Sequence, residues 1–76
     1  MKITVLTYSG YKADERPASF VLGSVEYRVV EVIDRYYNPD EDIFKVKASD
    51  GCIYIIGRNL KGDFWELKGY LRDEKK

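Results

Sequence analysis

Apolar and polar residues alternate along six segments of this chain with the two-residue period of a β-strand. The longest is Val25–Tyr37, where β-branched and aromatic residues favour an extended backbone. Turn residues border it, with Gly23-Ser24 before it and Asn38-Pro39-Asp40 after it. We take it as the central strand. The other predicted strands are Lys2–Tyr8, Ala18–Leu22, Ile43–Ser49, Cys52–Arg58 and Phe64–Tyr70.

The central segment loses its alternation after Val29. Val30 follows directly, and a second pair of neighbouring apolar residues comes at Val32-Ile33. A β-bulge between Val29 and Glu31 would absorb one extra residue and bend the strand. A helix stays open as the alternative for residues 29–37, because their apolar positions also recur every three or four residues.

The first hairpin takes its register from Gly23-Ser24, a pair suited to a two-residue turn with glycine first. Counting outward from the turn places six mostly apolar side chains on one face. The pairs are Leu22 with Val25, Phe20 with Tyr27, and Ala18 with Val29.

The second hairpin is centred on Asp50-Gly51, a pair that favours a type I′ turn with two left-handed residues. This turn predicts a core face with Ala48 opposite Ile53, Val46 opposite Ile55, and Phe44 opposite Gly57. The reverse face would pair Lys47 with Tyr54 and Lys45 with Ile56.

The third hairpin follows Gly57. A three-residue loop, Leu60-Lys61-Gly62, would place its glycine in a left-handed conformation. That register sets Trp65 opposite Gly57 and Leu67 opposite Ile55, with both large side chains on the core face.

Together these elements predict an all-β fold: a curved antiparallel meander of five or six strands, forming a small SH3-like barrel or a half-open roll. Residues 1–76 make one β domain, of which residues 71–76 are expected to be a frayed tail. The predicted core contains Phe20, Leu22, Tyr27, Val46, Ile55 and Trp65.

Composition supports a small folded domain whose core depends on aromatic residues. The 76 residues include seven Tyr, three Phe and one Trp. The single cysteine cannot form an internal disulfide, which favours a reducing compartment, and we expect the cytoplasm. The first residues are too short and too polar for a signal peptide or a spanning helix, so no membrane contact is expected.

Three stretches resemble a group of small uncharacterised bacterial proteins. They are Tyr11-Lys12-Ala13-Asp14-Glu15-Arg16-Pro17, Asp34-Arg35-Tyr36-Tyr37, and Phe44–Ala48 together with Asp50-Gly51-Cys52-Ile53-Tyr54. The resemblance spans most of residues 11–67, and Tyr36 departs from it because that group more often has tryptophan there. No activity is assigned to the group, so the resemblance implies a stand-alone bacterial domain and assigns no catalytic residue.

The chain lacks the usual parts of an active site. It has no histidine, no glycine-rich phosphate loop and no cysteine pair. Cys52, beside a turn and without a histidine base, is best explained as a packing residue. The acidic loop Asp40–Asp42 is too short to be a calcium loop. We therefore expect a non-enzymatic protein without cofactor or metal.

Two kinds of binding surface remain. The first binds a protein partner through a strand edge or a tyrosine-rich patch, because tyrosine supplies contact area at low entropic cost. Its candidates are Tyr8, Tyr11, Tyr36, Tyr37 and Tyr70. The alternative binds nucleic acid through a basic and aromatic outer sheet face. Its candidates are Arg28, Lys45, Lys47, Tyr54 and Arg58. Equal numbers of basic and acidic residues, 13 each, make this alternative the weaker one.

Overall fold

The structure, a computed structural model, describes residues 1–8 and 16–71. These residues form six strands and no helix: β1 (Lys2–Tyr8), β2 (Arg16–Leu22), β3 (Val25–Tyr37), β4 (Glu41–Ala48), β5 (Ile53–Asn59) and β6 (Phe64–Leu71). Each strand pairs antiparallel with the next, and β6 pairs with β1, so the sheet closes into a small barrel. The predicted all-β, SH3-like architecture is confirmed. Nothing in this part of the chain is a helix long and apolar enough to span a membrane.

The barrel interior is built around aromatic side chains. Its core cluster of buried residues is Phe20, Phe44, Val46, Ala48, Tyr54 and Ile56, and Leu22, Tyr27 and Trp65 are among the half-buried residues that pack against them. The ring centroids of Phe20 and Tyr54 lie 4.9 Å apart in an edge-to-face arrangement. The predicted core is therefore confirmed except at Ile55.

The β2–β3 hairpin has the predicted register. Gly23 has a φ of 62°, as the first position of the two-residue turn requires. Leu22 pairs with Val25 and Phe20 with Tyr27, and this ladder ends at Ser19 and Arg28. The predicted pair of Ala18 with Val29 is not part of the ladder, because β3 continues along β4 from this point.

Strand β3 contains two bulges. Its register against β4 shifts once between Val29 and Glu31, as predicted, and again between Val32 and Asp34. Val30 and Ile33 are the extra residues. Residues 29, 32 and 35 therefore face inward, and this three-residue spacing explains why the segment resembled a helix in the sequence.

The predicted register of the β4–β5 hairpin is wrong by one residue. Val46 pairs with Tyr54 and Phe44 with Ile56. The loop has three residues, Ser49–Gly51, because the N–H of Gly51 donates to the carbonyl of Ala48 at 2.9 Å. Gly51, with a φ of 88°, supplies the left-handed residue.

This shift exchanges the two faces of β5, since a one-residue slip turns every side chain over. Tyr54 and Ile56 are buried, whereas Ile53 and Ile55 face outward beside Lys47 and Lys45. Phe44 and Ile55 consequently lie on opposite sides of the sheet, contrary to prediction.

The β5–β6 hairpin also differs from prediction. Its loop has four residues, 60–63, and Asp63 rather than Gly62 is left-handed, with a φ of 57°. Trp65 lies opposite Arg58 instead of Gly57, although its ring packs on Phe44 at 5.8 Å and so faces the core as expected. Gly57 is instead approached by the Lys68 side chain.

Candidate functional site

The inner face of the sheet becomes polar at one end. A single row crosses five strands there, in which Tyr37 lies opposite Asp42, Asp42 opposite Arg58, Arg58 opposite Trp65, and Trp65 opposite Ile3. Residues directly opposite each other share a face. The core therefore ends in a carboxylate and a guanidinium, and we call this end of the barrel the open end.

Arg35 is held firmly at the open end. Its Nε and Nη2 donate to the two carboxylate oxygens of Asp42 at 3.1 and 3.0 Å. Its guanidinium carbon lies 4.9 Å from the ring centroid of Phe44 and 5.6 Å from that of Tyr37. A bidentate ion pair and two ring contacts fix this side chain. The second bulge makes this possible, because it places Arg35 directly opposite Phe44.

Tyr37 is exposed although its ring rests on Arg35. It leaves 73% of its surface in solvent. Leu60, on the neighbouring loop, is also exposed, and a shallow concavity of about 380 Å³ is lined by Arg35, Tyr37, Asn38, Asp42 and Leu60. We call these five residues the open-end surface.

Backbone and side-chain bonds join the two loops that border this surface. The N–H of Leu60 donates to the carbonyl of Asp40 at 2.9 Å, and Lys61 Nζ lies 3.4 Å from Asp40 Oδ1. Within the first loop, Asn38 Oδ1 accepts the N–H groups of Asp40 and Glu41 at 2.9 and 2.8 Å. The loops are thus fixed relative to each other.

The acidic loop is compensated by basic residues of the chain. Asp40 pairs with Lys61 and Asp42 with Arg35, while Glu41 accepts a 2.6 Å hydrogen bond from Lys68. That hydrogen bond raises the pKa of Lys68. The described residues contain no group of three potential metal ligands.

The opposite end of the inner face, which we call the closed end, is aromatic, and its central side chain, Tyr54, is buried. Tyr54 is 3% exposed, and its hydroxyl donates to Asp50 Oδ2 at 2.7 Å. Burial, followed by this hydrogen bond, strongly raises the pKa of Tyr54. Burial acts to raise the pKa of Asp50 too, but hydrogen bonds from Tyr54 and the Cys52 N–H outweigh it, and that pKa is lowered.

Cys52 is a packing residue in this structure. It is half-buried against the core, and its Sγ lies 3.6 Å from the Tyr70 hydroxyl. The ring of Tyr70 lies in turn 5.1 Å from that of Tyr54.

The structure does not join the predicted tyrosine patch into one surface. Tyr36 and Tyr37 are both exposed at the open end, but they point to opposite faces of β3. Tyr70 lies at the closed end, in the row of Val46, four residues or about 13 Å along β4 from the row of Tyr37. The Tyr8 side chain and all of Tyr11 lie outside what the structure describes.

The predicted basic and aromatic face is also dispersed. Lys45 and Lys47 point outward, but Tyr54 is in the core, because the register differs from prediction. Arg58 lies at the open end and binds Asp63 at 3.0 Å, while Arg28 lies on the β2–β3 hairpin opposite Ser19.

Four of the five residues of the open-end surface were not among the candidates named from sequence: Arg35, Asn38, Asp42 and Leu60. Asp42 could have been found, because it precedes Phe44 and Val46 at two-residue spacing and therefore continues the core face. Leu60 carries no such signal.

No protein-family model, curated protein or solved structure gives a significant match to this chain. Its function is therefore inferred from the geometry of the molecule.

Proposed function

We propose that this chain is a non-enzymatic protein-binding domain that contacts its partner through the open-end surface. The supporting observation is Tyr37, an aromatic side chain that is 73% exposed and yet held on the guanidinium of Arg35. Tyrosine and arginine are among the residue types that most often dominate binding energy at protein interfaces.

Preorganisation is the physical reason why this arrangement favours binding. Each side chain that a partner must immobilise costs about 0.5–1.5 kcal/mol. Arg35 is already fixed by Asp42 and Phe44, so much of that cost for the pair of Arg35 and Tyr37 is met within the free protein. Leu60 adds an apolar contact on a loop that is itself hydrogen-bonded to its neighbour.

The free edge of β3 is a less suitable binding site than the open-end surface. Beyond Arg28 no described strand pairs with this edge. However, the two bulges interrupt its regular spacing, and the N–H of Arg35 already donates to Asp34 Oδ1 at 2.9 Å. Bulges and charged residues are features that disfavour the addition of another strand.

Site-specific cross-linking tests this proposal. A photo-reactive residue in place of Leu60, expressed in the native host, should give discrete products with a protein partner. The same residue in place of Leu6, an equally exposed position on β1, is the control and should give none.

Two further variants locate the contact. Tyr37→Ala should abolish the products formed at position 60, whereas Tyr36→Ala, which alters the adjacent exposed tyrosine on the other face, should leave them unchanged. Products that survive Tyr37→Ala, or none at position 60, would contradict the proposal.

A further inference from the structure

On the outer face of β3, β4 and β5, the negative and positive charges lie on different strands. Glu31 and Asp34 lie on β3, directly opposite Lys47 and Lys45 on β4. Ile53 and Ile55 continue the same two rows on β5. We call these six residues the outer face.

None of these four charged side chains forms an ion pair with another residue that the structure describes. Neither Lys45 nor Lys47 has an ion pair with a described residue, and Asp34 accepts hydrogen bonds from the Tyr36 hydroxyl and the Arg35 N–H, both neutral donors. The outer face is therefore available to an opposite charge.

Apolar side chains project at the free edge of this face. Val30 and Ile33, the extra residues of the two bulges, are 62% and 42% exposed. A chain of this length has few apolar residues to spare for solvent, so exposed apolar neighbours in the same strand suggest a contact surface.

We propose that the outer face binds a second copy of this chain in a symmetric dimer. A twofold axis parallel to the strands, midway between β3 and β4, lays each β3 over the β4 of the other copy. Glu31 then meets Lys47, and Asp34 meets Lys45, because each pair lies in one row. The same operation places the β5 of each copy beside the other's free β3 edge, where Ile53 and Ile55 meet Val30 and Ile33.

Charge decides between this and other symmetric arrangements of the same face. An axis perpendicular to the strands would lay β3 over β3 and β4 over β4, so that lysine would face lysine. Like charges across an interface are strongly unfavourable. The axis parallel to the strands brings the acidic residues of each copy over the lysines of the other. The face is therefore complementary in charge to a second copy of itself.

The dimer is expected to be weak. The outer surface of a small barrel is convex, and three strands by two rows cover less than the roughly 800 Å² per partner of a stable complex. Exposed ion pairs are also screened by salt. Dimerisation should therefore appear at high protein concentration and low salt.

Sedimentation velocity over a concentration series at low salt tests the proposal. The wild type should form a concentration-dependent dimer, and Lys45→Glu with Lys47→Glu should raise its dissociation constant about tenfold or more. The fourfold variant Glu31→Lys, Asp34→Lys, Lys45→Glu, Lys47→Glu exchanges the charges between the two strands. It should restore the dimer, because self-complementarity is regained.

NMR on the wild type tests the interface without any substitution. Dilution and added salt should each shift amide resonances on the outer sides of β3, β4 and β5, and not those around Leu6. The proposal is overturned if the wild type stays monomeric at millimolar concentration, if the dimer withstands the double reversal, or if the folded fourfold variant stays monomeric. Binding at the open end would be unaffected by any of these results.

Discussion

Two tyrosines at opposite ends of the same sheet have opposite surroundings. Tyr54 at the closed end is buried among Phe20, Tyr27 and Tyr70, and its hydroxyl binds Asp50. Tyr37 at the open end is exposed, and its ring lies on a charged side chain. The same residue type therefore stabilises the core where its ring is enclosed, and keeps one face of its ring in solvent where it is supported from one side only. The second arrangement is the one that we propose for recognition.

Truncation of the two tyrosines should give the largest contrast. Tyr54→Ala should lower the free energy of unfolding by about 3–5 kcal/mol, because it opens a cavity in the core. Tyr37→Ala should change it by less than about 0.5 kcal/mol. Urea denaturation of both variants measures this. Similar losses at both positions would show that Tyr37 also contributes to the core.

Removal of the Tyr54 hydroxyl alone should have an intermediate effect. Tyr54→Phe keeps the ring but loses the hydrogen bond to Asp50, at a cost of about 1–2 kcal/mol near neutral pH. The pKa of Asp50 is lowered in the folded protein, so the stability that this carboxylate contributes is present above its unfolded pKa of about 3.9 and is lost as pH falls through the folded value.

The difference in stability between wild type and Tyr54→Phe should therefore shrink below about pH 4. Denaturation curves between pH 3 and 7, with Asp50→Asn as the control, measure it. If the difference stays constant over this range, the stability that the hydrogen bond provides does not depend on the charge of Asp50.

Alkaline pH should destabilise the closed end. The pKa of Tyr54 is raised by burial and by Asp50, so its contribution is fully present below the unfolded pKa of about 10 and is lost as pH rises beyond it. Above pH 10 the melting temperature should fall less steeply with rising pH for Tyr54→Phe than for wild type. Equal slopes of melting temperature against pH in the two proteins would show that ionisation of Tyr54 is not the cause of the alkaline destabilisation.

Release of Arg35 should change the open end without unfolding it. Arg35→Gln loses the ion pair with Asp42 and should cost less than about 1 kcal/mol, since the pair is partly exposed. The ring of Tyr37 should become more mobile in NMR relaxation. Arg35→Lys, which keeps the charge but not the planar fork, should behave like Arg35→Gln. An unchanged Tyr37 ring in both variants would mean that Arg35 does not hold it.

The smallest expected effect is at Gly57. A Cβ there would lie 2.9 Å from Cε of Lys68, a flexible chain that can move aside. Gly57→Ala should therefore change stability by about 0.5 kcal/mol or less and should weaken the bond from Lys68 to Glu41. A loss of several kcal/mol would show that the backbone cannot adjust here.

The sequence allowed the fold to be predicted better than the faces of its strands. All six strands and the β2–β3 register were predicted correctly, because Gly23-Ser24 allows few alternatives. Asp50-Gly51 was ambiguous: it suits a two-residue turn, but here Asp50 accepts the Cys52 N–H at 3.0 Å and Gly51 alone is left-handed. Ile53-Tyr54-Ile55-Ile56 is apolar on both faces, so the pattern could not correct the error.

The open-end surface was only partly predictable for a related reason. Tyr37 was identified from its residue type, but the tyrosines alone did not indicate which of them would lie together. Its support depends on Arg35 facing Phe44, and this follows from a second bulge that β-branched residues on both faces concealed. Contacts between loops, such as that of Leu60 with Asp40, leave no periodic signal.

For this sequence, the number of bulges in β3 decides to which side of the sheet its last side chains point. Each extra residue reverses the side to which all later side chains point, and the second reversal cancels the first, so Tyr37 points as it would in an uninterrupted strand. Deletion of Ile33 alone would remove the second bulge and its bend, but Arg35 would stay opposite Phe44 and Tyr36 would still point outward. Deletion of Val30 together with Ile33 would give a regular strand two residues shorter, in which Arg35 and Tyr37 still point inward.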